Sequence, residues 1–524
     1  MKRIPEQLWV FAGSIIFFLL TLAENFSGPH DSITYLNGIV DGYPLVNQHH
    51  LLYHYTAYCW LQLMQAILPG VKNYYIVEAF SSIWGSLSVA VVYSFFRNRF
   101  KFSAIASAAA ILPIACSYGF WFYSVNIEVY APPLFFILMA LYIISKPTLT
   151  SNDWYKVIVL HILAIVFHQI NILFIVVILF RLWQQRKNVS IVKWISIYAI
   201  NGMIFVGGAY FIVGWIVEKQ NTVEKWVSWM RGYAGADIYW HKLDAKTPVN
   251  ISYGFSHALL GGHYVFQLPP VKKMLNSSLS NHSLGDELFI AKSIAPTMAI
   301  ILTIFTAILF IATLWLLIKF IRNFGIIKKE ASDIIYPVLL TFFTYSLFFV
   351  FWMPEILEFW ILQSVLLWLL LIGTMNIAKK PSIIKPFPIA LTIGFLLFCI
   401  NYFGSIRYMQ HKEHDLYYVK AKRIEEIATK KDLVVLQEGW IVGDFLHYFT
   451  QLQVEPVPSK DSTQTRIDSL LNLTMSQKQK IYILPEVNNK LRAPDTHYLD
   501  SVRNLYSTRL RKVRDSEPEI WVIE

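Results

Sequence analysis

Five short stretches carry residue types able to do chemistry beside a membrane. "GPHDSITYLNGIVDG" puts Asp31, and ten residues later Asp41, where the first long apolar run ends. "FWFYSVNIEVYAPP" carries Glu128, and "WMPEILEFW" carries Glu355 and Glu358. A carboxylate at a membrane surface can act as general base, drawing the proton from an acceptor hydroxyl as that oxygen attacks. Asp31 is the first candidate for this work, with Glu128 approaching the same cavity from the next helical pair. The spacing of Glu355 and Glu358 puts both on one face if a helix begins there. The remaining two stretches are histidine-bearing. "NQHHLLYH" holds His49, His50 and His54, able to donate to phosphate or to ligate a metal, and "FHQIN" sets His168 and Gln169 in a strongly apolar surround. Each has a plainer reading, as interfacial side chains or as a hydrogen-bonded packing histidine, but ionisable residues at membrane depth are functional candidates by default.

The elements that hold these residues are membrane helices. Of the 524 residues 55% are hydrophobic and only 15% charged, against roughly a quarter charged in soluble domains. Apolar runs long enough to cross a hydrocarbon core of about 30 Å recur at 8 to 23, 75 to 96, 103 to 120, 127 to 145, 191 to 217, 294 to 318, 334 to 352, 356 to 375 and 387 to 404. The run 157 to 180 decides the topology. The linkers "RNRFK", "RLWQQRKNVSIVK", "KFIRNFGIIKK" and "AKKPSIIKP" are rich in Lys and Arg, which places them in the cytoplasm. They all fall on that side only if 157 to 180 doubles back, as two arms of about 12 residues or roughly 18 Å each, with a turn at His168 to Asn171. Polar backbone at that depth is tolerated only against protein or a water-filled cavity.

The fold expected is therefore mainly α: a polytopic membrane helical bundle of about eleven helices over 1–404, with the N-terminus cytoplasmic as an uncleaved signal anchor. The first external loop, 24–74, includes an interfacial helix near 49 to 68, and 218–293 forms a long external loop. Residues 405–524 read as a small extracytoplasmic α/β domain, from the β-rich runs "DLVVLQEG", "LQVEPVPS", "QKIYILPE" and "EIWVIE" between the helix-like "DFLHYFTQL" and "DSTQTRIDSLLNL". The net charge of +11 is spread over linkers rather than gathered with aromatics, so nucleic acid is not an expected partner. Cys59, Cys116 and Cys399 lie in apolar runs at no metal-ligand spacing. No phosphate-cradling glycine loop occurs.

These motifs resemble the GT-C class of membrane glycosyltransferases, and within it the bacterial relatives of the protein O-mannosyltransferases. "HDSITYLNGI" resembles the class's first-loop Asp motif, "NQHHLLY" its His-Pro-Pro type segment, "FWFYSVNIEVYAPPLFFILMALYI" its Glu-Val-Tyr stretch, and "FHQINILFI" its short polar-tipped helices. "WMPEILEFW" is similar to a Trp-x-Pro then Glu-Phe-Trp turn of some members. The chain departs from the pattern twice: Asp31 is followed by Ser32 rather than a second acid, and both prolines of the His-Pro-Pro segment are missing after His49. The resemblance implies transfer of a sugar from a polyprenyl-phosphate donor to a hydroxyl of a protein, lipid or glycan acceptor outside the cytoplasm, with inversion. Asp31 and Glu128 would be catalytic, with Asp41, His49, His50, His168, Gln169, Glu355 and Glu358 binding substrate. It leaves open whether a divalent cation takes part. The competing expectations are a lipid-linked sugar flippase or small-solute transporter, whose acids would sit near the midplane in broken helices, and a non-catalytic membrane scaffold.

Overall fold

The computed structural model describes residues 5–271, 285–377, 385–436, 440–456, 469, 471–477, 479–484, 507–508, 510–514 and 520–523. The chain divides into two compact units. The first is Met1–Ala23, Gly38–Leu268 and Ile294–Arg407; the second is Glu24–Asn37, Pro269–Ser293 and Tyr408–Glu524.

Among the described residues six helices are long and apolar enough to cross a membrane: Asn73–Arg99, Ile191–Val217, Pro296–Glu330, Ser332–Phe351, Leu357–Asn376 and Pro386–Met409. Pro296 and Pro386 open theirs at the position where a missing N–H costs nothing. Shorter apolar helices cover Glu6–Leu19 and Ala131–Ile144, the latter beginning four residues later than its apolar run because Pro132 and Pro133 fit only its first turn.

The span expected at 103 to 120 is instead a broken pair, Ala104–Ala115 and Tyr118–Ser124, bent by 84°. Pro113 sits near the end of its first piece, and Ser117 is extended where a straight helix would continue. The Asn401 amide covers the break: it donates to Cys116 O at 2.7 Å and to Leu259 O at 2.9 Å, and its oxygen accepts from Gly261 N at 3.0 Å. A polar side chain from a neighbouring helix thus satisfies backbone that hydrocarbon could not.

The 157 to 180 segment does double back. Its outgoing arm, Ser151–Phe167, ends at His168, whose backbone is extended, and the chain returns through a 3₁₀ turn, Gln169–Phe174, into the helix Ile175–Gln184. The two ends meet, since Leu149 N donates to Gln185 Oε1 at 3.3 Å, Gln185 Nε2 to Pro147 O at 3.0 Å, and Arg181 Nε to Ile144 O at 3.0 Å. The outgoing arm is longer than expected, while the return helix has 10 residues. A capping box at Thr150 and Asp153 starts the first one early, and its 17 residues rise about 25 Å.

The second unit carries a mixed sheet of β1 (Leu433–Leu436), β2 (Gln453–Pro456), β3 (Ile481–Leu484), β4 (Leu510–Arg514) and β5 (Ile520–Ile523), in the order β2-β1-β3-β5-β4. β1 pairs parallel with β2 and β3, and β5 pairs antiparallel with β3 and β4. Leu433, Val435, Leu471, Ile481 and Ile523 form its core. β4, "LRKVR", has no counterpart among the runs expected from sequence; its basic side chains suit the edge it occupies. "DFLHYFTQL" falls on the helix Trp440–Phe449, while 461–468 of the other helix-like run lie outside the described residues.

Candidate functional site

The polar pocket of the first unit is assembled where the bent helix pair, the hairpin turn and a non-helical connection come together. After Ser124 the chain leaves its helix for "VNIEV", where Glu128, 1% exposed, accepts from Val129 N at 3.1 Å. Tyr123 and Tyr130 flank this turn, and both hydroxyls donate to Glu358, at 2.8 and 2.7 Å. The two hydroxyls supply a donor to each oxygen of a half-buried carboxylate among aromatic rings.

Glu355 and Glu358 do not share a helical face. The chain between Phe351 and Leu357 is irregular, with Met353 at φ +46° and Pro354 O held by Trp360 Nε1 at 2.9 Å. Glu355 is exposed there, while Glu358 enters the 3₁₀ turn Leu357–Trp360 and reaches the tyrosines. Position 353 and the Trp360 contact supply the physical reason: they tie the backbone into a loop before any helix can start.

The histidines converge. Gln169 N donates to His49 O at 3.0 Å and Leu52 N to Val166 O at 3.3 Å, docking residues 47–52 on the hairpin turn. Gln169 Nε2 donates to His49 Nδ1, and the Tyr210 hydroxyl bonds Gln48 O at 2.9 Å and Gln169 Oε1 at 3.2 Å. The His50 ring lies 5.0 Å from that of His168, 6.1 Å from His49 and 6.5 Å from His54, and His168 is 5.3 Å from Tyr130. Ile170 N donates to His168 Nδ1 at 3.4 Å, so a neutral His168 carries its proton on Nε2. That atom, like His49 Nε2, is buried without a hydrogen-bond partner among the described residues. Burial holds the His49 imidazole down at about 4 and pushes His50 well below the ordinary histidine range, the His168, His54 and His49 rings adding to the second shift. The ring of Tyr233, from the long loop, packs 4.0 Å from that of His49, tilted by 43°. Its neighbour Gly232, at φ +48°, lies so close to His49 Nε2 and Gln48 that a side chain there would collide with both.

Beside this cluster opens a pocket of about 450 Å³. Pro133, Leu134, Ile137, Phe349 and Leu362 make its apolar wall; Tyr130, His168, Asn171, Tyr345 and Glu358 make its polar end. Tyr345 donates to Asn171 Oδ1 at 3.1 Å. Such a lining suits a ligand with a polar head and a hydrocarbon tail. A metal fits less well: among the described residues no three His, Cys, Asp or Glu side chains come together to hold an ion, and the imidazoles are spaced as ring neighbours rather than as ligands.

Asp31 belongs to the second unit. It precedes the helix Ser32–Asp41, half-buried, and accepts from the Tyr35 hydroxyl at 3.1 Å. The segment carrying it is tied into its unit by Asp415, which accepts from Phe26 N at 2.7 Å, Ser27 N at 3.2 Å and the Ser27 hydroxyl while capping the helix Leu416–Glu425 through Tyr418 N at 2.9 Å. Thr34 donates to Asp444, and Asn37 Nδ2 to Asp444 O at 3.1 Å. His30 Nε2 lies 4.0 Å from Asp286. Asp41 ends its helix exposed.

Several polar residues of the first unit were not singled out from sequence. Tyr123 and Tyr130 bracket Glu128 in the quoted motif, yet nothing in their spacing announces a shared carboxylate partner 228 residues or more away. Glu78, fully buried within Asn73–Arg99, had the clearer signal, a lone acid inside an apolar run.

No family model matches this sequence, and no curated protein does. Among solved structures, ArnT from Cupriavidus metallidurans in the apo state aligns with a TM-score of 0.50 and 10% identity, covering 98% of this chain and 97% of that one. The same protein bound to undecaprenyl phosphate gives 0.40 and 11% over the same shares. The likeness to the apo form is one of fold: this chain has a polytopic helical architecture similar to that of ArnT, with a small sheet-bearing C-terminal region.

Proposed function

We propose that this GT-C-fold protein is an integral membrane glycosyltransferase that takes a sugar from a polyprenyl-phosphate donor and passes it, with inversion, to an acceptor hydroxyl on the extracytoplasmic side. The observation that carries the reading is the pocket at the hairpin turn, where Tyr130, His168 and Glu358 form a polar end directly against an apolar wall within a unit of membrane-length helices. A lipid-linked sugar has that profile. Outside the cytoplasm nucleotide sugars are normally absent, so the activated sugar must arrive on a lipid.

In the step proposed, Asp31 takes the proton of the acceptor hydroxyl as its oxygen bonds to the anomeric carbon. The bond from that carbon to the phosphate oxygen breaks on the opposite side, and the electron pair leaves with the polyprenyl phosphate. Donors aimed at the growing phosphate charge lower the barrier, and His168, in the lining of the pocket's polar end, is the donor assigned to this step. Glu128 holds the acceptor or a sugar hydroxyl. Glu358 fixes the Tyr123 and Tyr130 hydroxyls at the rim of the donor groove; Gln169 orients His49, with His50 behind it. Asp41 and Glu355, both exposed, contribute at most to the approach of substrate. The Lys- and Arg-rich linkers support this sidedness, with the N-terminus in the cytoplasm and the C-terminal region outside.

The test is transfer from radiolabelled polyprenyl-phosphate sugars by the purified full-length protein, comparing the parent with Asp31→Asn. A folded variant should lose about 10²- to 10⁴-fold in rate, the span usual for a general base. Equal rates would show that Asp31 is not the base, and no transfer by the parent from any such donor would remove the activity itself.

A further inference from the structure

A polyprenyl-phosphate sugar brings one negative charge, and once the sugar has left, the phosphate carries up to two. The pocket offers no fixed cation to meet them. Among the described residues its lining includes Glu358 but no lysine or arginine, and the titratable groups that act on Tyr130 there are Glu358, Tyr233 and Glu128. His168 is faced by Tyr130 and His50 and feels His49; His49 is faced by Tyr233 and Gln169. With no three-ligand metal group among the described residues, an anion entering this pocket would meet carboxylates and neutral imidazoles.

We propose that the histidine cluster centred on His168 supplies the missing charge, taking up one proton from solvent as the donor phosphate enters and keeping it while the polyprenyl phosphate leaves. The inference rests on the glycosyltransferase reading and adds to it how the site pays for an anion. Two features of geometry support it. His168 lines the polar end of the pocket, and its Nε2, a donor when the ring is neutral, is buried with no hydrogen-bond partner among the described residues. The His50 ring packs 5.0 Å from that of His168, and the His49 and His54 rings each pack on His50 at 6.1 and 6.5 Å, so positive charge taken up at one is shared with polarizable neighbours rather than with a second cation. In the empty site burial keeps these groups neutral, His49 down at about 4, which is why the proton must come with the ligand. The balance is simple: neutral imidazole, solvent proton and phosphodiester anion become an imidazolium–phosphate pair. After transfer, with the acceptor's proton on Asp31, the same imidazolium faces the departing phosphate.

The sign follows from linkage. A group protonated only in the complex makes binding stronger at low pH, and affinity falls by up to tenfold per pH unit while one proton is taken up. The test is calorimetric titration of the full-length protein in detergent with farnesyl methyl phosphate, a phosphodiester singly charged throughout pH 5–8, in buffers of different ionisation heat. The expected result is uptake approaching one proton per ligand near pH 6, a Kd that rises between pH 6 and 8, and uptake below half a proton in His168→Gln, with a smaller loss in His49→Gln. Tight binding with no proton uptake and a Kd flat from pH 5 to 8 would overturn the proposal while leaving the donor class intact, as would binding that appears only with added Mg²⁺. Absence of binding at every pH would instead count against the polyprenyl-phosphate reading. The parent protein alone decides between these outcomes should either variant fail to fold.

Discussion

The two groups of candidate residues rest on unlike supports. The pocket residues of the first unit are held by helices: His168 ends one hairpin arm, Glu358 opens a short turn before a span, and their partners are hydroxyls and rings at fixed positions. Asp31 sits on a short segment, Glu24–Asn37, that by its packing belongs with the C-terminal sheet and is secured by two aspartates more than 370 residues further along the chain. In one region the backbone supplies order and side chains fill it. In the other a few buried polar bonds supply the order, and these fail all at once when one partner is lost.

The strongest way to break this contrast is Asp415→Ala. It leaves the Ser27 hydroxyl and the Phe26 and Ser27 amides without their acceptor and removes a helix cap, a change worth about 3 kcal/mol or more. Amide exchange over residues 26–35 should rise by about 100-fold, with protection in the first unit unchanged; exchange that stays slow would show that the segment is held by something else. A second difference is in pH. Asp286 is buried beside Asp415, and burial, then the Asp415 carboxylate, pushes its carboxyl up to about 7; burial, then Asp286, raises its neighbour Glu287 to about 7 as well. Because the folded values lie above the unfolded ones, the stabilisation is complete below about 4 and is lost as pH rises towards 7, by up to tenfold per pH unit for each group. Protection of the Gly285–Ala291 helix should therefore decline between pH 4 and 7 and level off beyond; Asp286→Asn should make the curve shallower, and adding Glu287→Gln should flatten it.

Smaller effects sharpen the picture of the pocket. Tyr130→Phe withdraws one of the two hydroxyls from Glu358 and should cost about 1–2 kcal/mol, seen as a lower melting temperature in detergent; no change would mean that Tyr123 and solvent suffice. Glu355→Ala should alter neither transfer by twofold nor stability by more than about 0.5 kcal/mol, as for an exposed side chain away from the polar end. A large loss would restore the pairing with Glu358 that the irregular backbone denies it.

What could be read from sequence followed the kind of interaction involved. Hydrophobic run length and the placement of Lys and Arg are local or additive signals, and they sufficed for the bundle and for the doubling back at His168. Breaks inside a span were not visible: Pro113 is compatible with a continuous helix, and it is Asn401, nearly 290 residues later, that makes the bend affordable. The same holds for the pocket. His168, Gln169 and His49 were suggested by polarity in an apolar context, but the Glu358 bridge to Tyr123 and Tyr130 joins residues that no periodicity links, and the anchoring of the Asp31 segment depends on side chains of Asp415 and Asp444 that look like ordinary surface acids in the chain.

Asn401 commits both amide hydrogens and one lone pair of its oxygen to three pieces of backbone: the broken helix, the end of the Thr247–Leu259 helix and the glycine that follows it. A hinge at Gly261 and Gly262 is therefore not free to swing by itself. If the long loop must shift to admit a substrate, it either breaks its two bonds to this amide or drags the last apolar helix with it, and the second course makes that helix the lever by which distant motion reaches the broken helix before the turn that carries Glu128.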